Sequence, residues 1–221
     1  MGILFTRRCV LCGATLAAGD GGKAMLCPAC ARAVRVQYRC AQPVQVAGAD
    51  DAAAALLYTG AVRQAMLRFK FQHQAHYADW FAAQLLPVLA ERLPDWQPDC
   101  ITYLPIGFLR LRERGYDQAA LLAKPLAAAL DLPCRATLRK RAFVGRQSAQ
   151  KDAAARQANA ARAFAPKRGA DVRGQSVVLV DDILTTGATA AAAVRALRDM
   201  GAARVYVLVA TNTPFRPTQI D

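Results

Sequence analysis

The stretch Val177–Thr189, with the sequence VVLVDDILTTGAT, decides the fold class of this chain. Val177–Val180 are apolar at successive positions, which predicts a strand buried on both faces, as in the middle of a parallel sheet. Two carboxylates, Asp181 and Asp182, follow directly. Because parallel sheets bind ligands at the carboxyl ends of their strands, the sequence predicts a ligand site at these two residues, with both carboxylates exposed at the rim of the sheet.

The loop after the aspartates has the composition of a phosphate cradle. Its members are Thr185, Thr186, Gly187, Ala188 and Thr189. Small residues let backbone N–H groups approach a phosphate, and the N-terminus of the helix predicted to follow favours negative charge. The neighbouring carboxylates would repel a phosphate unless they face sugar hydroxyls or Mg²⁺, so a phosphorylated sugar fits both features. The alternative is a plain strand–turn–helix with an acidic cap, and the stretch matches neither GxxxxGK[ST] nor GxGxxG.

The elements around this stretch predict an α/β domain over residues 52–215. The strand at Val177–Val180, a helix from about Ala190 to Met200 and a strand at 204–211 form a βαβ unit, which implies a parallel sheet flanked by helices. The other expected elements are a strand at 54–59, a helix at 60–71 ending near an exposed Lys70, a helix at 75–93 kinked or split at Pro87, a strand at 99–105, an arginine-rich turn at 106–118, a helix at 117–132 with a bend or a fresh start at Pro125, and a helix beginning near Asp152.

The first forty residues carry a metal motif. The pairs Cys9-x₂-Cys12 and Cys27-x₂-Cys30 enclose fourteen residues, a spacing close to that of zinc ribbons. The sequence therefore predicts a zinc-ribbon module over residues 1–45, with a structural zinc ion held by four thiolates and no open position for catalysis. The alternative is four reduced cysteines without metal. Because the module is short and has few basic residues, a role as a brace for the neighbouring domain is favoured over contact with DNA.

The net charge of +13 points to an anionic partner. Between Arg135 and Arg173 there are eleven Lys and Arg residues against two Asp, a stretch that could hold nucleic acid or close over a polyphosphate. The alternative is a solvated helical face. No apolar run approaches the roughly 20 residues that span a bilayer, and the N-terminus lacks the features of a signal peptide, so we expect a cytoplasmic protein without a membrane span. His73 and His76 are expected to form a partly exposed pair on a helix rather than a metal site.

A family resemblance sharpens these predictions. Val177–Thr189 resembles the thirteen-residue signature for phosphoribosyl pyrophosphate (PRPP) in type I phosphoribosyltransferases. The resemblance implies that Asp181 and Asp182 hold the ribose 2′- and 3′-hydroxyls at the catalytic centre, and that the loop Thr185–Thr189 binds the 5′-phosphate.

Two further blocks resemble one family in particular. YLPIGFLRLRERGYDQAALLAKPLA, residues 103–127, and RQSAQKDAAARQANAARAF, residues 146–164, are similar to segments of the ComF family of competence-associated, phosphoribosyltransferase-like proteins. The resemblance implies a type I phosphoribosyltransferase fold with an N-terminal zinc ribbon. Family members often have a second CxxC pair, whereas this chain keeps only Cys40, which we expect to be unliganded.

The resemblance places the pyrophosphate loop after Tyr103–Pro105. Candidate contacts to the diphosphate are Arg110, Arg112, Arg114 and, less strongly, Lys70. Guanidinium groups match phosphate oxygens well, but alternate arginines cannot all point in one direction, so we expect about two of the three to serve the site.

Two functions are compatible with the sequence. The first is Mg²⁺-dependent phosphoribosyl transfer to an unknown acceptor, linked to DNA uptake. The 6-oxopurine enzymes carry Asp where this chain has Thr185, so a 6-oxopurine acceptor is disfavoured. The second is a non-enzymatic protein that handles single-stranded DNA and uses PRPP as a regulatory ligand, although the basic run offers only Phe143 and Phe164 for base stacking. The sequence leaves the oligomeric state open.

Overall fold

The computed structural model describes residues 7–16, 25–141 and 163–214. Its strands are β1 Asp51–Leu57, β2 Cys100–Tyr103, β3 Leu138–Lys140, β4 Phe164–Pro166, β5 Ser176–Leu184 and β6 Arg204–Asn212. Its α-helices are α1 Pro28–Ala33, α2 Gly60–Phe71, α3 Tyr77–Trp96, α4 Phe108–Arg114, α5 Gln118–Ala129 and α6 Ala188–Asp199. A π-helical segment, Val34–Tyr38, follows α1 directly.

The main sheet is parallel and has the strand order β1-β6-β5-β2. Val177–Val180 of β5 are fully buried, as the apolar run predicts. Alternate residues of β5 enter two different apolar clusters because successive side chains of a strand point to opposite faces. Val178 and Val180 pack with residues of α2, α3 and α5, and Leu179 packs with residues of α6. Helices therefore cover both faces of the sheet, which confirms the predicted α/β architecture.

Strand β5 is longer than its apolar run. It continues through both aspartates to Leu184 because β6 keeps pairing with it, with Asp181 opposite Val209 and Ile183 opposite Thr211. The two carboxylates thus lie within the paired part of β5 rather than in a loop after the strand. The expectation that both are exposed at the rim is wrong, since Asp182 is buried and only Asp181 keeps partial exposure.

The prolines do not divide the helices, so a split at Pro87 and a fresh start at Pro125 are wrong. A single helix, α3, runs through Pro87 and Pro94, and α5 runs through Pro125. An internal proline costs about 3 kcal/mol, but α3 buries Phe81, Leu85 and Leu89 along one face. The burial of each such side chain contributes roughly 1.5–3 kcal/mol, so packing outweighs the lost hydrogen bond.

The arginine-rich segment after β2 is also more regular than predicted. It forms the short helix α4, which begins after Gly107 and ends at Arg114, directly before Gly115. Gly115 has a φ of 77°, a left-handed conformation that favours glycine at the end of a helix.

The cysteine-rich segment packs onto the α/β domain. Cys9, Val10 and Leu11 are buried in the same apolar cluster as residues of α2 and α3. Arg68 of α2 donates from Nη2 to the carbonyl oxygens of Val10 at 2.9 Å and of Leu11 at 2.7 Å. These contacts support the predicted role as a brace, whereas the domain boundaries at residues 45 and 52 stay a prediction. In the part of the chain that the structure describes, no helix is long and apolar enough to cross a membrane.

Candidate functional site

A cavity of about 330 Å³ lies at the carboxyl ends of β2 and β5. Its charged lining residues are Lys70, Arg110, Arg114, Lys140, Asp181 and Asp182. Thr185, Gly187 and Thr189 of the predicted phosphate loop also line it, whereas Thr186 and Ala188 do not. The fold thus brings most of the predicted site residues to one cavity, and it adds Lys140, which the sequence analysis did not single out.

The loop Thr185–Thr189 leads directly into the N-terminus of α6. Gly187 precedes α6 with a φ of 75°, and its carbonyl accepts a hydrogen bond from the N–H of Ala191 at 2.8 Å. The first turn of α6 has no acidic residue, so nothing there opposes an anion at the positive end of the helix. Thr185, Thr186 and Thr189 are exposed, which leaves their hydroxyls accessible to a ligand.

Asp182 forms an ion pair with a lysine from another element. Its Oδ1 lies 2.9 Å from Nζ of Lys70, and the two side chains are only 10% and 17% exposed. The expectation of an exposed Lys70 is therefore wrong. Lys70 lies in the last turn of α2, and the buried carboxylate draws its ammonium inward because an unpaired buried charge is costly.

Asp181 lacks a comparable partner among the described residues. Burial raises the pKa of its carboxyl well above the usual range, and the neighbouring charge of Asp182 raises it further. The N–H of Asp182 donates to Asp181 Oδ1 at 2.8 Å, which offsets only part of this effect. Sugar hydroxyls or a cation such as Mg²⁺ would supply the missing stabilisation, so the carboxyl fits either ligand.

The three arginines of α4 divide between two faces. Arg110 and Arg114, four residues apart on the helix, both line the cavity. Arg114 is buried, donates from Nη1 to Oε1 of Gln118 at 2.9 Å, and stacks 4.8 Å from the ring centre of Phe71. Arg112 does not line the cavity, and its guanidinium lies 5.9 Å from the ring centre of Phe108. Two of the three arginines therefore line the cavity, and their contact with a diphosphate stays a prediction.

Asp117 is a positioning residue that the sequence analysis missed. Its Oδ2 accepts from the N–H of Ile106 and its Oδ1 from the N–H of Ala120, both at 3.1 Å. The carboxylate caps α5 and ties the turn before α4 to that helix. Burial raises the pKa of Asp117. An Asp immediately before a run of apolar helix formers is a capping signal, so this contact could have been predicted.

The four N-terminal cysteines converge on one point. Their Sγ atoms all lie within 4.8 Å of one another, and those of Cys12 and Cys27 are 3.7 Å apart. Tetrahedral coordination with zinc–sulfur bonds of about 2.3 Å places sulfur atoms about 3.8 Å apart, so the cluster fits a zinc ribbon. The first pair lies on a tight turn in which the N–H of Gly13 donates to the Cys9 carbonyl at 2.8 Å. The second pair lies at the start of α1.

The thiols of this cluster differ in acidity. Burial alone would raise the pKa of Cys9, but the N–H groups of Cys12, Cys27 and Leu11 outweigh it and lower the pKa to about 7. Burial and the neighbouring thiols raise the pKa of Cys30. Four crowded thiols cannot all ionise without a cation between them, and a bound metal removes this conflict. The cluster could therefore hold a metal ion, and four protein ligands would complete its coordination.

Other candidate residues lie apart from both sites. Cys40 is outside the cysteine cluster and its Sγ lies 3.9 Å from the carbonyl oxygen of Gln42. The expected helical pair of histidines is wrong, because His73 lies in the loop between α2 and α3 with a φ of 53°, and His76 precedes the first residue of α3. Nδ1 of His73 lies 3.3 Å from the carbonyl oxygen of Arg114. Much of the basic run, including Phe143 and the helix expected near Asp152, lies outside the described residues.

Comparisons with known proteins agree with this geometry. Residues 117–218 match the model of the phosphoribosyl transferase domain. The chain is 33% identical over 147 residues to Competence protein F of Haemophilus influenzae, a match that spans 63% of each protein. It is 30% identical over 224 residues to DNA utilization protein YhgH of Salmonella typhimurium, across 90% of this chain and 94% of that protein.

A solved structure shows a partial likeness. The purine phosphoribosyltransferase from Pyrococcus horikoshii is 17% identical, across 63% of this chain and 94% of that chain, with a TM-score of 0.41.

The two aspartates should differ in their effect on stability without ligand. Asp182→Asn leaves the largely buried Lys70 without its carboxylate and should lower the free energy of unfolding by about 1–3 kcal/mol.

Asp181→Asn removes a carboxyl whose folded-state pKa is raised. The ionised form of such a group opposes folding, so wild-type stability falls as the pH rises above the unfolded pKa of about 4. Asp181→Asn should therefore be as stable as the wild type or more stable at pH 7, by an amount that shrinks towards pH 4. Urea unfolding across this range measures both effects, and a reversed order of the two variants would contradict the geometry.

Proposed function

Because this chain belongs to the ComF family and has the type I phosphoribosyltransferase fold, we propose that it binds PRPP with Mg²⁺ and transfers the phosphoribosyl group to an acceptor. The observation that carries the proposal is the composition of the cavity at the ends of β2 and β5. The same 330 Å³ is lined by a loop at the start of a helix, by two arginines on one helix face and by Asp181, a carboxyl that forms no ion pair within the described residues. A sugar that carries a phosphate at one end and a diphosphate at the other complements all three.

Each part of PRPP has a candidate partner in this cavity. The loop Thr185–Thr189 would bind the 5′-phosphate through backbone N–H groups and hydroxyls, and Asp181 and Asp182 would accept hydrogen bonds from the ribose hydroxyls. Arg110 and Arg114 would face the diphosphate. Lys70 lines the same cavity, but it is paired with Asp182 and so contributes less to the binding of an anion.

The reaction proposed is displacement at the anomeric carbon. The bond from that carbon to the diphosphate breaks, its electron pair leaves with the diphosphate, and the acceptor supplies the pair for the new bond. Arginines positioned at the diphosphate stabilise the charge that develops on it, while the aspartates orient the ribose. Mg²⁺, when bound, would neutralise further charge on the leaving group.

The acceptor is not a 6-oxopurine in this proposal, because Thr185 replaces the aspartate that those enzymes carry. A second candidate function is the handling of single-stranded DNA with PRPP as a regulatory ligand. Two observations favour it: the relatives are named for competence and DNA utilization, and α4 exposes Phe108 and Leu109 beside Arg110 and Arg112. Basic residues interleaved with aromatic ones are typical of surfaces that bind single strands.

Calorimetric titration with PRPP and Mg²⁺ tests the binding proposal. We expect the wild type to bind and Asp181→Asn to bind at least about 100-fold more weakly, because hydrogen bonds to a charged group contribute roughly 1.5–3 kcal/mol each. Asp199→Asn, which removes an exposed carboxylate at the far end of α6, is the matched control and should bind like the wild type.

Equal PRPP affinity in the wild type and Asp181→Asn would move the site elsewhere. An assay for pyrophosphate release, with and without a single-stranded oligonucleotide, separates the two functions. Slow release of pyrophosphate at a rate that the oligonucleotide does not change supports the transferase function. PRPP affinity that changes with the oligonucleotide, without release, supports the DNA-handling function.

We also propose that the metal of the cysteine cluster is zinc with a structural role. Four thiolates suit zinc, and a fully coordinated ion has no position for a substrate. The contacts from Arg68 to the first cysteine turn would transmit the loss of the ion to α2 and the rest of the core.

Removal of the metal should therefore destabilise the whole chain. Structural zinc contributes several kcal/mol to folding, so strong chelation should lower the melting temperature by about 10 °C for a chain of this size. Cys12→Ser should behave in the same way and lose bound zinc by elemental analysis. Cys40→Ser, outside the cluster, should retain the zinc and the melting temperature, and a melting curve that chelation leaves unchanged would refute a structural metal.

A further inference from the structure

We infer that Lys140 binds the diphosphate of the ligand, an inference that rests on the proposed function. Lys140 ends β3, which pairs in antiparallel fashion with β4 and has Phe164 opposite Lys140. Leu138 of β3 is buried, Arg139 is exposed and Lys140 is half-buried. Because side chains alternate along a strand, Lys140 lies on the inner face with Leu138, and it lines the same cavity as Arg110 and Asp181.

The stem of Lys140 is held by apolar and backbone neighbours. Its Nζ lies 5.9 Å from the ring centre of Phe164, and its Cδ lies 3.8 Å from the position that a Cβ would take at Gly107. Gly107 immediately precedes α4, so the lysine lies beside the turn that leads to Arg110. Burial lowers the pKa of Lys140, the charge of Arg110 lowers it further, and the charge of Asp181 raises it in part. The lysine is therefore close to both Arg110 and Asp181 in the cavity.

The distribution of charge in the cavity identifies the kind of ligand. Asp182 already neutralises Lys70. No carboxylate of residues 7–16, 25–141 or 163–214 lies within ion-pair distance of Lys140. Arg110, Arg114 and Lys140 therefore carry positive charge towards an anion. Two cations at one wall repel each other until an anion of high charge lies between them, and a diphosphate meets this requirement better than a single phosphate.

The position of Lys140 distinguishes the diphosphate from the 5′-phosphate. The loop Thr185–Thr189 offers backbone N–H groups and hydroxyls at the start of α6, which suffices for one phosphate. Lys140 instead shares its surroundings with Arg110 and the turn before α4. Lys140 thus joins the arginines of α4 as a cation for the diphosphate, and it does so from β3, which lies outside the main sheet.

Three ligands and two variants of the full-length protein test this inference. Lys140→Met keeps the length and apolar character of the stem and removes the charge, and Arg139→Met removes one charge from the exposed face of the same strand. Both are titrated with inorganic pyrophosphate, with PRPP and with ribose 5-phosphate, each in the presence of Mg²⁺. We expect Lys140→Met to bind pyrophosphate and PRPP about tenfold more weakly and ribose 5-phosphate with unchanged affinity. Arg139→Met should match the wild type for all three.

The outcomes separate this inference from the proposed function. Wild-type protein that binds neither PRPP nor pyrophosphate would overturn the proposed function and the inference with it. Wild-type protein that binds both, with equal affinities in Lys140→Met and Arg139→Met, would overturn the inference alone. Weaker binding of ribose 5-phosphate to Lys140→Met would also overturn it, because it would place the lysine at the 5′-phosphate. Should Lys140→Met fail to fold, Lys140→Gln serves as the uncharged variant and Lys140→Arg should retain pyrophosphate affinity.

Discussion

Two adjacent carboxylates lie within the paired length of a buried strand, and the rest of the site follows from that constraint. The ladder between β5 and β6 continues past Val180, which leaves Asp182 buried and Asp181 only partly exposed. One buried charge can be neutralised by Lys70, which pairs with Asp182. The other remains unfavourable without a ligand, as the raised pKa of Asp181 shows. A ligand that supplies hydroxyls or a cation at Asp181 therefore stabilises the ionised carboxyl, and this stabilisation contributes to the free energy of binding.

Helix α2 links this site to the N-terminal cysteines. Its last turn contains both Arg68 and Lys70. Arg68 donates to the backbone of the first cysteine turn, while Lys70 pairs with Asp182. Phe69 lies between them and is fully buried, which holds the turn in place. The orientation of the cysteine cluster and that of the lysine thus depend on the same few residues, which gives a physical reason for a brace at this end of the chain.

Much of the fold could be predicted because it depends on local patterns. Successive apolar residues predicted the buried strand, and the spacing of the cysteine pairs predicted their convergence. The length of β5 could not be predicted, because it depends on continued pairing with β6 rather than on its own composition. The burial of Lys70 arises from an ion pair with a residue far along the chain. The role of Lys140 could not be predicted for a similar reason. Many basic residues surround it in the sequence, and the direction of its side chain depends on the three-residue strand β3 and its pairing with β4.

The most direct measurement is a crystal structure of the full chain grown with Mg²⁺ and PRPP. We expect density for the ligand in the cavity at the ends of β2 and β5, with the 5′-phosphate on the loop Thr185–Thr189, the ribose hydroxyls at Asp181 and Asp182, and the diphosphate towards α4. Density for PRPP at another surface, with this cavity unchanged, would contradict the site. Density in the cavity with the diphosphate on the loop and the 5′-phosphate towards α4 would contradict the orientation.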